Sequence, residues 1–131
     1  MSRQQYLQEL LKYWQDKAGE SLEAARDEFQ AGRYAFTVNR LYYVCFYVIT
    51  AVFLQENIVT KKHSGLRAAF HRDFVKTGRV NVRQGKLFDE LFEARQRGDY
   101  VGLIFFDREE VEDWLQRTSE FLQELISLLK T

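Results

Sequence analysis

The side chains able to do chemistry here are few: two histidines, His63 and His71, one cysteine, Cys45, and arginines set among tyrosines. The histidines lie eight residues apart, so they are not the i, i+4 pair that puts two metal ligands on one helix face, and no metal or other cofactor is expected. Cys45 falls inside an apolar run and reads as a buried small hydrophobe. As the single cysteine it excludes an intrachain disulfide and fits a reducing compartment. Gly98 and Gly102 stand alone rather than in a phosphate-cradling loop, and no serine sits in a nucleophile elbow. That leaves Arg40, Arg95 and Arg97 with Tyr42, Tyr43, Tyr47 and Tyr100. Guanidinium groups hold phosphates bidentately and phenol rings give bases a stacking surface, so these residue types suit a nucleotide or an RNA segment.

The elements that must position them read as helices. The chain has 131 residues, the size of one domain (residues 1–131), and contains no proline. Hydrophobic content is 46% and aromatic content 15%, enough apolar bulk for a packed core. Formal net charge is zero, which removes the case for strong nonspecific nucleic-acid binding but leaves a local basic patch open. Leu41 to Leu54 carries no charge at all. It is too short for a bilayer, which needs about 20 apolar residues, so it reads as a central helix covered by others.

Apolar steps of three and four from Leu7 to Phe29 predict a first amphipathic helix, with Gly19 as a kink or break and Gly32 as its stop. The central helix is expected over Tyr34–Glu56, antiparallel to the first. A short helix follows over Gly65–Thr77 with Ser64 as N-cap, and a fourth over Gln84–Arg97, ended by Gly98. Asp99 to Phe106 reads as an apolar loop packed on the bundle, and Asp107 as the cap of a last helix. The fold class is all-α: an up-and-down bundle of four to five helices. Phe36, Tyr43 and Tyr47 make the central helix apolar on more faces than its neighbours can cover, which predicts a homodimer through that helix.

These pieces, taken in order, resemble a known family. Gly32-Arg33-Tyr34, then Asn39-Arg40-Leu41-Tyr42-Tyr43, Lys62-His63-Ser64-Gly65-Leu66, Phe74-Val75-Lys76-Thr77-Gly78 and Arg95-x-x-x-Asp99-Tyr100 are similar to the HEPN (higher eukaryotes and prokaryotes nucleotide-binding) domain, over roughly Ser21 to Lys130. The resemblance implies a helical bundle, usually homodimeric, in the cytoplasm of a prokaryote and away from membranes. It also implies a frequent link to a minimal nucleotidyltransferase in toxin–antitoxin pairs, and metal-independent RNase activity in many members.

The chain departs from the family's RNase pattern, an arginine followed four to six residues later by histidine. At the matching place stands Arg95-Gln96-Arg97-Gly98-Asp99-Tyr100, with tyrosine where the histidine belongs. A phenol titrates near 10, far from the pH at which imidazole trades protons. Two functions therefore stay open. One is a binding module with a polar cleft around Arg40, Tyr43, His63, Arg95, Asp99 and Tyr100 for a nucleotide, RNA or a partner protein. The other is an RNase in which Arg95 works with a substitute acid or base such as His63. Arg40, at the mouth of the apolar helix, is expected to pair with a carboxylate such as Asp99. Arg67 and His71 are spaced too closely for the family motif and read as coincidence.

Overall fold

The computed structural model describes residues 2–100 and 105–130, with side chains throughout except at 98–100. Five helices follow one another: α1 (Arg3–Gln30), α2 (Tyr34–Gln55), α3 (His63–Phe70), α4 (Val82–Tyr100) and α5 (Arg108–Ile126). A π-helical turn, His71–Val75, continues α3. No strand occurs among the described residues.

α1 begins in a capping box. The Ser2 hydroxyl accepts from the Gln5 N–H at 3.1 Å and the Gln5 side chain accepts from the Ser2 N–H at 2.9 Å. Its buried stripe, Leu11, Ala18, Leu22, Ala25 and Phe29, faces α2. Gly19 does not break it, because one glycine costs only about 1 kcal/mol within a helix anchored by that stripe. Gly32, at φ +77°, makes the turn into α2, where a Cβ would be strained.

α2 is the axis of the bundle. Leu41, Tyr42, Val44, Cys45, Val48 and Ile49 are wholly enclosed. By length and composition α2 could cross a membrane, but most of it is buried by α1, α4 and α5. The pairing with α1 is the most extensive in the fold. Aromatic rings join the other elements to it: Tyr42 stacks on Phe88 of α4 at 5.7 Å, and Phe70 of α3 meets Phe88 at 5.7 Å and Phe121 of α5 at 5.8 Å. Each such buried ring contributes on the order of 1.5–3 kcal/mol.

Three expectations are corrected. α3 starts at His63, with Lys62 at the cap position and no side-chain cap bond, so Ser64 lies inside the first turn. The residues beyond Phe70 widen into the π turn, where Gly85 of α4 packs so closely that a Cβ there would stand 3.0 Å from His71 Cε1. α4 begins earlier than read, because the Asn81 side chain accepts from the Arg83 N–H at 2.8 Å and acts as the cap. It then runs through Gly98 to Tyr100, since one glycine does not outweigh the hydrogen bonds of a continuing turn. Asp107 has the extended backbone of a cap, but its side chain makes no capping bond.

Candidate functional site

α2, the start of α3 and the second half of α4 meet around Tyr42. This ring is fully buried, and its hydroxyl lies 2.7 Å from Nδ1 of His63. If His63 donated from Nδ1, the phenol proton would be left without a partner in the core. The cheaper arrangement has Tyr42 donating, with the imidazole proton on Nε2. His63 is sandwiched against Phe46 at 4.3 Å between ring centroids, nearly parallel, and its edge meets Tyr43.

Arg95 completes the group. Its guanidinium carbon stands 4.6 Å from the centre of the Tyr42 ring and 5.6 Å from that of Tyr43, both at cation–π range. Burial, and secondarily the Arg95 charge, hold the His63 pKa below its ordinary value of 6.5, so the ring is neutral at pH 7. Burial also pushes the Tyr42 hydroxyl well above the usual phenol range, with Arg95 opposing in part, so Tyr42 keeps its proton. Cys45 lies fully buried on the same helix, with its thiol pKa raised by desolvation.

One turn along α3, Arg67 donates from Nε to Asp89 Oδ1 at 2.8 Å, and His71 Nε2 reaches the same oxygen at 2.8 Å. Arg67 also lies over the Phe92 ring at 4.5 Å. His63, Arg67 and His71 thus line one edge of α3 and the π turn, facing α4. Arg67 and His71, dismissed as coincidence in the sequence, share a structural partner there. No cluster of three or more His, Cys, Asp or Glu able to hold a metal occurs among the described residues.

The HEPN domain family model matches residues 11–128. This chain belongs to the HEPN family. Among its relatives, a "UPF0332 protein" of Thermotoga maritima is 39% identical over 123 residues, covering 94% of this chain and 93% of the relative. "Putative toxin MJ0142" of Methanocaldococcus jannaschii is 36% identical over 107 residues, covering 82% of this chain and 73% of the relative. A second protein of that organism, "Putative toxin MJ0605", is 32% identical over 84 residues, covering 64% of this chain and 63% of the relative.

Within this HEPN domain the sequence-derived site residues divide. Tyr43, His63 and Arg95 gather around Tyr42. Asp99 and Tyr100 belong to the last turn of α4, but their side chains lie outside the described residues. The Arg40 side chain is exposed and makes no ion pair among the described residues, while its carbonyl accepts from Ser21 Oγ at 2.7 Å; the side chain of Asp99, its expected partner, lies outside the described residues. The guanidinium stays hydrated at the surface, so its charge needs no buried partner. Arg40 borders a hollow of about 430 Å³ that Arg95 also lines. The cleft expected from sequence left out Tyr42 and Phe46. A signal was present, since Phe46 follows Tyr42 and Tyr43 by four and three residues and so lies one turn beyond both on α2.

Proposed function

We propose that this HEPN protein is a toxin-type module that binds RNA, with a backbone phosphate at Arg95 and flanking groups against Tyr43 and His63. The observation that carries this reading is the guanidinium held over the Tyr42 and Tyr43 rings beside a neutral imidazole. A cation fixed on aromatic faces and half screened from solvent presents a defined charge to an anion. The toxin names of two relatives support the same class of function. By family resemblance the proposal includes a cytoplasmic protein, a minimal nucleotidyltransferase as partner, and self-association, for which the exposed Phe36 is a candidate contact.

A second reading is favoured by one further observation, the bond from Tyr42 to His63 Nδ1. It fixes one tautomer and turns the other ring nitrogen to the ligand. On this reading cleavage is metal-independent. A 2′-hydroxyl attacks phosphorus and gives its proton to water, the His63 Nε2–H donates a hydrogen bond to a phosphoryl oxygen, Arg95 stabilises the phosphorane, and the 5′-oxygen takes a proton from water and leaves as an alcohol. Incubating the purified protein with RNA in EDTA separates the two. Binding without cleavage, weakened by Arg95→Ala, supports the module. Cleavage that is lost in both Arg95→Ala and His63→Gln establishes the enzyme. An absence of both binding and cleavage refutes the assignment.

A further inference from the structure

Arg40, Tyr43 and Tyr47 occupy positions i, i+3 and i+7 of α2, so they form one outward stripe. Cations stand on both sides of it. On the α4 side is Arg95, 5.6 Å from the Tyr43 ring. On the α1 side is Lys17, whose Nζ lies 5.2 Å from the Tyr47 ring and 5.7 Å from that of Tyr13. Lys17, Arg40 and Tyr47 line a hollow of about 210 Å³ together with Glu20 and Ser21. Arg40 therefore separates this hollow from the larger one shared with Arg95.

Most arginines of this chain answer a carboxylate: Arg26 pairs with Glu23, Arg33 with Glu28, Arg67 with Asp89, Arg79 with Glu56 and Arg117 with Glu90. The fields of such paired charges cancel at a distance. Lys17 and Arg40 make no ion pair among the described residues, so two cations face the hollow against the single carboxylate of Glu20. Cations alternating with tyrosine rings form the surface that tracks a single strand, with charges for phosphates and rings for bases. A second copy of the chain is a poorer occupant. A two-fold contact on this stripe would gather Arg40 and Lys17 of both subunits near one axis, like charge against like.

We propose that a single-stranded RNA leaves the Arg95 site across the outer face of α2, its backbone passing Arg40 and then Lys17, with bases laid on Tyr43 and Tyr47. This rests on the reading of Arg95 as a phosphate site and extends it on to α1.

The test uses fluorescence anisotropy of the whole chain with 2′-O-methyl oligouridylate, which has no attacking hydroxyl and survives any cleavage activity. Two lengths are compared, a dinucleotide and a strand of about twelve nucleotides. Arg40→Ala, Lys17→Ala and their double variant should weaken the long strand severalfold while leaving the dinucleotide unchanged. Each lost phosphate contact should also flatten the plot of log affinity against log salt by about 0.7. Glu20→Gln removes the carboxylate beside the path and should tighten the long strand. Arg40 and Lys17 are surface residues, so thermal denaturation should find their alanine variants folded as the parent. If both variants bind the long strand as the parent does while Arg95→Ala weakens it, the path is wrong and the Arg95 site stands. If neither length binds the parent, the site reading falls and the path with it. If light scattering gives a dimer that Arg40→Ala dissociates without loss of RNA affinity, the stripe belongs to the second copy and the proposal is overturned.

Discussion

Replacing Tyr42 by phenylalanine removes one oxygen from the centre of the site and nothing else. The ring is fully buried, stacks on Phe88 at 5.7 Å and lies under Arg95 at 4.6 Å, all of which phenylalanine keeps. What is lost is the 2.7 Å bond to His63 Nδ1. A neutral intramolecular hydrogen bond contributes about 1 kcal/mol net, and His63, being half-buried, can take water at Nδ1 instead of staying unsatisfied. Tyr42→Phe should therefore cost about 1 kcal/mol, roughly 3–5 °C in Tm for a chain of this length. Tyr42→Ala, which empties the ring's volume, should cost about 3–5 kcal/mol. Thermal denaturation followed by circular dichroism measures both. Nitrogen-detected NMR of the imidazole should find the Nε2–H tautomer dominant in the parent and a mixture in Tyr42→Phe. A parent ring already carrying its proton on Nδ1, or a phenylalanine variant as stable as the parent, would refute the hydrogen-bonding scheme on which the site is built.

Other outcomes follow from single positions. The His63 pKa is lowered in the folded chain, so on acidification the unfolded chain takes up the proton first. The stability His63 contributes is therefore complete above about pH 6.5 and is lost as pH falls through 6.5 toward the folded value. The drop in Tm between pH 7.5 and 5.5 should be smaller in His63→Gln than in the parent, and equal drops would discount the shift. Gly19 sits in mid-helix, and a Cβ added there would meet nothing within 4 Å, so Gly19→Ala should raise stability by about 0.5–1 kcal/mol, read as a higher Tm. Gly85→Ala should do the reverse and destabilise by about 1–3 kcal/mol, because its methyl group would press on His71 Cε1 at 3.0 Å and on Val75 at 3.1 Å. A neutral result would show that the π turn yields easily.

Helix periodicity and the charge-free run of α2 were enough to read an all-helical bundle, because a covered helix must be apolar on nearly every side. Boundaries were less legible where weak local preferences compete with packing. Gly98 carries a stop signal that α4 overrides, and Ser64 carries a cap signal that α3 ignores. The π turn at His71–Val75 left no mark in the spacing of Leu66, Phe70 and Phe74, since apolar steps of four continue straight through it. The site was half legible. Arg95, His63 and Tyr43 are polar or amphipathic residues and drew attention by type. Tyr42 looks like any core ring, and only the approach of α3 reveals that its hydroxyl has work outside the core. Arg40 is a related case. Sequence shows that a charge borders an apolar run, but not whether the side chain turns inward to a carboxylate or outward to water.

The dominance of the α1–α2 pairing has a consequence for synthesis. The chain leaves the ribosome N-terminus first, and among the described residues α2 alone has the length and apolar character that membrane-targeting machinery accepts. α1 precedes it, and its buried stripe is ready to lie along α2 as each turn emerges. The helix most open to misrouting is thus shielded from one side before α4 and α5 exist. Placed after α2, the same stripe would come too late to offer that protection.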